Sequence, residues 1–270
     1  MAHYRIRAPM RRYAWLPLLL LAATSALAQD LPELKKRGTL RVIVDSSNLV
    51  ERFNPGPGEP GLERELLQGF AALHAMKLEI VTVDNIEARL QALNARKGDV
   101  VAGTVATESR RKLVAFTSEV LPSRHVVVTR KPQPAIETLE ALRAARVAAT
   151  KGSSWAEAAL LAGVPPASLD DSFKQPEDVF AALKSKRASA AVMTVVWAIL
   201  ERKRDPELQL GLFIGEPSSV GFGVRKESPL LLRALDEYVA NMRKSASWSR
   251  LVVKYFGEHA LEILKKSRSQ

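Results

Sequence analysis

Cysteine is absent from all 270 residues. No disulfide can staple the chain, no thiol nucleophile or zinc–thiolate site can form, and no lipid can be attached through a cysteine. Aromatic residues make up only 6%, and of four histidines His74, His125 and His259 stand apart, without metal-ligand spacing. The Gly-x-Ser-x-Gly elbow, the phosphate loop and paired catalytic carboxylates are missing too, which removes common hydrolase and nucleotide-binding classes. The longest uncharged apolar run lies in the first 29 residues, where Arg5, Arg7, Arg11 and Arg12 precede a Leu- and Ala-rich stretch ending in Ala26-Leu27-Ala28. That stretch is short for a membrane span, contains Pro17 and closes on small residues. Residues 1–29 therefore read as a secretory signal peptide rather than an anchor; Arg11-Arg12 is a weak twin-arginine signal, and the ordinary export route is expected because arginines belong to any n-region. The expected location is the periplasm, without lipidation.

The net charge is +11, but four basic residues lie in the leader, leaving 36 basic against 29 acidic residues, or +7. This excess is scattered apart from Lys265, Lys266 and Arg268, and no aromatics are interleaved with it. A nucleic-acid partner is therefore not expected, whereas anionic ligands are compatible with the charge.

From Leu40 onward, β-rich runs alternate with helical patterns, the signature of a parallel α/β sheet. Strands are predicted at Leu40 to Val44, Leu78 to Val83, Val100 to Val105 and His125 to Thr129. Between them, Leu62, Leu66, Phe70 and Leu73 recur at helical spacing, and helices are predicted from Ile86 to Arg96 and Glu108 to Ala115. Lys131-Pro132-Gln133-Pro134 interrupts regular structure and marks a crossing into a second unit. There Thr138 caps a helix, Arg146 to Thr150 is a strand, Ser154 to Glu157 is a capping box, Asp178 to Lys186 is helical, and Ala190 to Met193 and Leu208 to Phe213 are strands. Gly215 to Ser219 marks a return crossing, followed by a strand at Val220 to Lys226, a helix opened by Ser228-Pro229, and a closing segment from Leu251 to Lys266. The domain reading is a leader at 1–29, one lobe from 30–131 and 217–270, and a second lobe, 132–216, inserted into it. Two linking strands let such a molecule close on a ligand.

The stretch from Thr107 to Arg111 stands out chemically. A strand ending in small residues opens a helix with a capping Thr, and Arg110 adds a forked cation one turn in, against the helix dipole. The arrangement suits a carboxylate, although Arg110 paired with Glu108 on the surface is the plain alternative. Gly103 and Thr104 either present backbone and hydroxyl groups to a ligand or serve only as strand residues. Ser153 and Ser154 sit at a second helix start, where Ser154 either caps the helix or meets the ligand from the other lobe. Asp45 to Asn48 lines the cleft or forms a turn. Trp155 and Trp197 either wall the site or belong to the core.

Laid out in order, these residues resemble the periplasmic solute-binding proteins that serve polar amino-acid ABC transporters. The resemblance runs from about Gly38 to Gly257. It rests on Gly38-Thr39-Leu40-Arg41-Val42, Gly61 to Leu66, Asp99 to Arg110, Lys151-Gly152-Ser153-Ser154, and Ala240-Asn241-Met242 through Lys254-Tyr255-Phe256-Gly257. Within the family, Asp205 to Leu210 with Val220 to Lys226 look most like the solute-binding half of membrane-bound lytic transglycosylase F, where a peptidoglycan-cleaving domain follows; here the chain stops at Gln270.

The resemblance implies a type II two-lobed periplasmic-binding-protein fold, α/β, with lobe 2 inserted into lobe 1 and two hinge strands. It implies a non-enzymatic monomer without cofactor or metal that captures a small anionic ligand for an ABC permease or a membrane sensor. The ligand set it implies is Arg110, Gly103, Thr104, Val105, Ser153, Ser154, Thr194 and Asp45. Two positions depart from the family pattern: Thr194 stands where an aspartate receives the ligand's ammonium, and Val105 replaces a Ser or Thr. The region around Asp84 and Asn85 lacks the aromatic that often stacks on the ligand. An uncharged Thr194 disfavours free α-amino acids. The alternatives are a module that recognises cell-wall fragments or a protein partner, and a dehydratase of the cyclohexadienyl type, for which Glu119 is the one nominated acid.

Overall fold

The computed structural model describes residue 1 and residues 30–45, 52–54, 56–84 and 86–268, with the side chains of 86 and 87 left out. The expected leader and the segment 46–51 lie outside the described residues, as does Asn85. No helix among the described residues is long and apolar enough to cross a membrane.

Among the described residues, nine strands form one mixed sheet. Parallel β1 (Thr39–Asp45), β2 (Lys77–Val83) and β3 (Val100–Val105) make one end of it. Parallel β6 (Val147–Thr150), β7 (Leu169–Phe173) and β8 (Ala190–Thr194) make the other. Between them run β5 (Leu121–Arg130) and β9 (Leu208–Val224), paired antiparallel, giving the order β2-β1-β3-β9-β5-β8-β6-β7, while the short β4 (Ala115–Phe116) pairs with β9. The strands Val100–Val105 and Ala190–Thr194 are almost wholly buried because helices cover both faces, as continuous apolar strands require.

At the first end, α3 (Ile86–Asn94) packs on β1 and β3, where Leu90 and Leu93 meet Ile43, Val101 and Val114 in a small core of their own. The opposite face carries α2 (Leu62–Leu73), backed by α9 (Pro229–Lys244) and α10 (Ala246–Phe256), with Phe70 fully buried between them. Burying a side chain of that size contributes about 2–3 kcal/mol. At the second end, α6 (Ser154–Leu161), α7 (Pro176–Lys184) and α8 (Val195–Arg204) pack on β6 and β8. The predicted α/β alternation is thus present, along with α1 (Leu31–Arg37), α4 (Glu108–Leu113) and α5 (Leu139–Ala144).

Asp30 joins two segments far apart in the chain. Its carboxylate caps α1 by accepting from Leu31 N–H at 2.8 Å, and it also accepts from Leu230 and Leu231 N–H at 3.0 and 2.7 Å. The first turn of α9 is thereby capped from 200 residues away in sequence, which replaces the side-chain cap that Ser228 does not supply.

Three features differ from the sequence expectations. Gly215 to Ser219 is part of the continuous 17-residue β9, because β5 supplies backbone partners alongside and the two strands hold each other extended. Lys131 to Pro134 follows β5, but that strand already pairs with β8 from His125 to Val128. The passage between the two ends of the sheet therefore falls earlier, at the register shift between Ser123 and His125. Finally, the closing segment is two helices, α10 and α11 (Ala260–Lys266), separated at Gly257, whose φ of 88° suits glycine.

Candidate functional site

The register along β9 locates the site. Val105, the last residue of β3, stands opposite Val220. His125 stands opposite Ile214 on one side and Thr194, the last residue of β8, on the other. The C-terminal ends of both parallel groups thus flank the step of β9 from Ile214 to Val220, roughly 20 Å of extended strand. Ligands of open α/β sheets bind outside the carboxyl ends of the strands, so this step is the floor of the candidate site.

On the first side, Thr107 caps α4, its hydroxyl accepting from Arg110 N–H at 3.3 Å. The Arg110 side chain turns back toward the strand end. Its Nη1 donates to Thr104 Oγ1 at 3.1 Å and to the Val105 carbonyl at 3.0 Å. Thr104 and Val105 therefore orient the guanidinium, while Glu108 lies 3.8 Å from exposed Lys112 instead.

Beneath Arg110 lies a buried charge cluster. Asp45, only 2% exposed, pairs with Arg89 of α3 at 2.8 Å, and Arg89 Nη1 donates to the Ala102 carbonyl at 3.3 Å. Asp45 is thus held by an internal arginine at the strand end. Burial pushes Arg89 down to about 10, with Arg52 and Arg110 acting in the same direction and Asp45 and Glu63 opposing. Glu63, fully buried in the first turn of α2, accepts from Arg52 Nε at 2.8 Å and from Gly103 N–H at 3.0 Å. Arg52 Nη2 also donates to the Gly103 carbonyl at 2.7 Å. Both backbone groups of Gly103 are consequently spent inside the protein, which corrects the expectation that they face a ligand. What Gly103 supplies is space: a Cβ there would lie 2.5 Å from Glu63 Oε1 and 2.8 Å from Val220 Cγ1.

On the second side, Ser153 is the cap of α6, which displaces the capping box expected at Ser154. Its hydroxyl accepts from Trp155 and Ala156 N–H at 3.2 and 3.3 Å and donates to the Thr150 carbonyl at 2.7 Å. Ser153 is thus committed to the turn. Ser154 is left to meet His125, with Oγ 3.2 Å from Nε2. Burial lowers the His125 pKa, and Glu157 opposes this more weakly. Thr194 sits half-buried at the start of α8 and makes no cap bond with its side chain. Ser154 and Thr194 thus bring uncharged hydroxyls to this side, beside His125, with the charge of Glu157 near enough to act on the imidazole.

Other candidates lie elsewhere. Glu119 is held by Arg243 at 2.9 Å and by Arg268, so the acid nominated for a dehydratase is engaged in ion pairs. Trp155 and Trp197 meet edge to face at 5.9 Å within the core of the second end, which resolves them as packing residues. His74 stacks edge-on against Phe70, and His259 precedes α11. No group of metal-ligating residues exists among the described residues. The sequence reading missed Arg52, Glu63, Arg89 and His125. Glu63 carried a signal, since it stands three and seven residues before Leu66 and Phe70 on the apolar stripe of α2.

Residues 26–258 match the bacterial extracellular solute-binding proteins, family 3. The chain belongs to this family. Its fold is that of the two-lobed periplasmic binding proteins, as solved structures show. A crystal structure of a mutant ArgBP from T. maritima is 27% identical with a TM-score of 0.66, over 84% of this chain and 99% of that one. The ancestral amino-acid-binding protein AncCDT-1, a precursor of cyclohexadienyl dehydratase, is 25% identical with a TM-score of 0.68 over the same shares. Among curated proteins, the membrane-bound lytic murein transglycosylase F of Stutzerimonas stutzeri is 30% identical over 247 residues, covering 88% of this chain and 50% of that protein. The solute-binding protein thus spans about half the length of the curated relatives it matches.

Proposed function

We propose that this protein captures a small carboxylate-bearing ligand, amino-acid-like or another organic anion, between its two lobes. The lobes we assign start from the expected 30–131 with 217–270 and 132–216; with the β5 crossing placed at Ser123–His125 they become about 30–123 with 217–270, and about 124–216. The reading rests on one observation above the others: Arg110, aimed by Thr104 and Val105 at the end of β3, and Ser154, His125 and Thr194, at the end of β8, flank the same step of β9 from Ile214 to Val220. Arg110 receives the carboxylate, and the buried Asp45–Arg89 and Arg52–Glu63 pairs fix the ground on which it stands. Thr194 offers a hydroxyl and no charge, so a ligand without a free ammonium is preferred.

A ligand that touches both lobes favours the closed form, and closure is the message a permease or sensor reads. A periplasmic location, export through the leader at 1–29 and action as a monomer go with this role. The solved relatives that bind arginine and other amino acids support it. A second reading, recognition of cell-wall fragments by the same cleft, is favoured by the likeness to the transglycosylases.

A thermal-shift screen of amino acids, dicarboxylates and muropeptides separates the two readings. Stabilisation by a free small carboxylate supports capture for transport or sensing, and a response to muropeptides alone supports the wall reading. For the compound found, Arg110→Ala is expected to weaken calorimetric affinity about 30-fold or more while the protein stays folded. Unchanged affinity overturns the assignment of Arg110.

A further inference from the structure

A second concave site lies well away from Arg110. It is a cavity of about 630 Å³ where the C-terminal half of α8 and the start of β9 meet the junction of α10 and α11. That volume falls in the range of small-molecule pockets. Its floor is apolar, formed by Ile199, Leu208, Phe256 and Ala260, and its rim carries Lys131, Arg202, Lys203 and His259 against a single acid, Glu258.

The cations on this rim are not consumed by acids. Arg202 is half-buried, and its side chain makes no ion pair or hydrogen bond with another described residue; the same holds for the side chain of Lys131. Lys203 donates at 3.2 Å to the Tyr255 carbonyl, which pins it across the junction. Neighbouring charges are already matched elsewhere: Arg204 with Glu201, and Arg130 with Asp205 at 2.9 Å. Three permanent cations thus line one hollow, Arg202 half-buried and Lys131 and Lys203 exposed, and a rim of one charge sign attracts an anion.

We propose that this cavity is a second ligand site, distinct from the strand-end cluster, that takes a small molecule bearing two or more anionic groups. Lys131 and Arg202 grip the anionic groups, and the apolar floor receives the carbon skeleton. The walls come from both proposed lobes, since α8 and the start of β9 belong to about 124–216 while α10 and α11 belong to the C-terminal segment. An occupant here therefore bridges the lobes behind the hinge. By linkage, it alters cleft affinity as much as cleft ligand alters its own.

The test is isothermal calorimetry on the full chain with citrate and with inorganic pyrophosphate, at about 0.15 M salt so that loose surface attraction is screened. Saturable binding of at least one probe is expected. It should be about tenfold or more weaker in a Lys131→Gln/Arg202→Gln variant and unaltered in Arg110→Ala. Absence of saturable heat with both probes overturns the proposal. So does affinity that survives the double variant, or affinity lost in Arg110→Ala, which would place the anion at the strand ends. Should the double variant melt early, Lys131→Gln alone alters only an exposed side chain and carries the same reading.

Discussion

Gly103 shows how a single missing side chain holds the cluster under Arg110 together. The Glu63 carboxylate occupies the space a Cβ would fill, and it is pinned there by Arg52 and by the Gly103 N–H, so it has little room to retreat. Gly103→Ala is therefore expected to destabilise by about 1–3 kcal/mol, read as a lower Tm in a calorimetric melt. His125 sets a second expectation. Burial holds its pKa below the ordinary 6.5, so the folded protein keeps it neutral where the unfolded chain takes up a proton. Stability attributable to His125 is thus full above pH 6.5 and falls as pH drops from there toward the depressed folded value. His125→Gln should flatten that part of the pH–stability curve, and an unaltered slope would show that the histidine is not sheltered. His74, also lowered by burial, leaves a residual slope. Arg110 drew notice in the sequence as a cation expected in the first turn of a helix; α4 has only six residues, so the same position also lies in its last turn, where a cation suits the dipole. Arg52 and Arg89 were not legible, since pairing with Glu63 and Asp45 depends on loops and helices meeting in space.

At the scale of elements, two adjacent serines do different jobs, and the difference is measurable. Ser153→Ala removes a cap that satisfies two N–H groups at the start of α6 and is expected to cost about 1 kcal/mol in denaturant unfolding. Ser154→Ala, which loses only the contact with His125, should stay within about 0.5 kcal/mol and act on ligand affinity instead. The lobe 1 strands and helices were readable because their apolar periodicity is regular. Helix α8 escaped notice because its opening Val195 and Val196 are β-branched and follow a buried strand without a turn residue, so tertiary packing overrides their weak helix preference. Strand β7 escaped for the opposite reason: as an edge strand reading Leu-Asp-Asp-Ser-Phe, it carries too little apolar pattern.

For the molecule as a whole, the expected return crossing at Gly215 to Ser219 falls within the step of β9 from Ile214 to Val220, whereas the expected outward one at Lys131 to Pro134 lies beyond the pairing of β5 with β8, because prolines and glycines mark breaks in pattern whereas the passage of a strand is set by which strand it pairs with. Ser123 to His125 carries no turn signal. Its role comes from the register shift against β9, from the Arg124 Nε bond to the Gly215 carbonyl at 2.9 Å and from the Ser218 hydroxyl bond to the Ser123 carbonyl at 2.9 Å. Strand β9 also closes the free side of β3, through pairs from Val100 with Val224 to Val105 with Val220. A chain synthesised from its N-terminus has made β1, β2 and β3 long before the residues that cover that edge exist. Until then, β3 offers a bare row of donors and acceptors to any other strand. A fragment of residues 30–215 is expected to aggregate and to be cut rapidly by protease, whereas residues 30–268 resist; a monomeric, protease-resistant fragment would contradict this. Strand β9 is thus also a late-arriving lid on a sticky edge, so the first lobe needs either speed or a chaperone's shelter while its own second half is still being made.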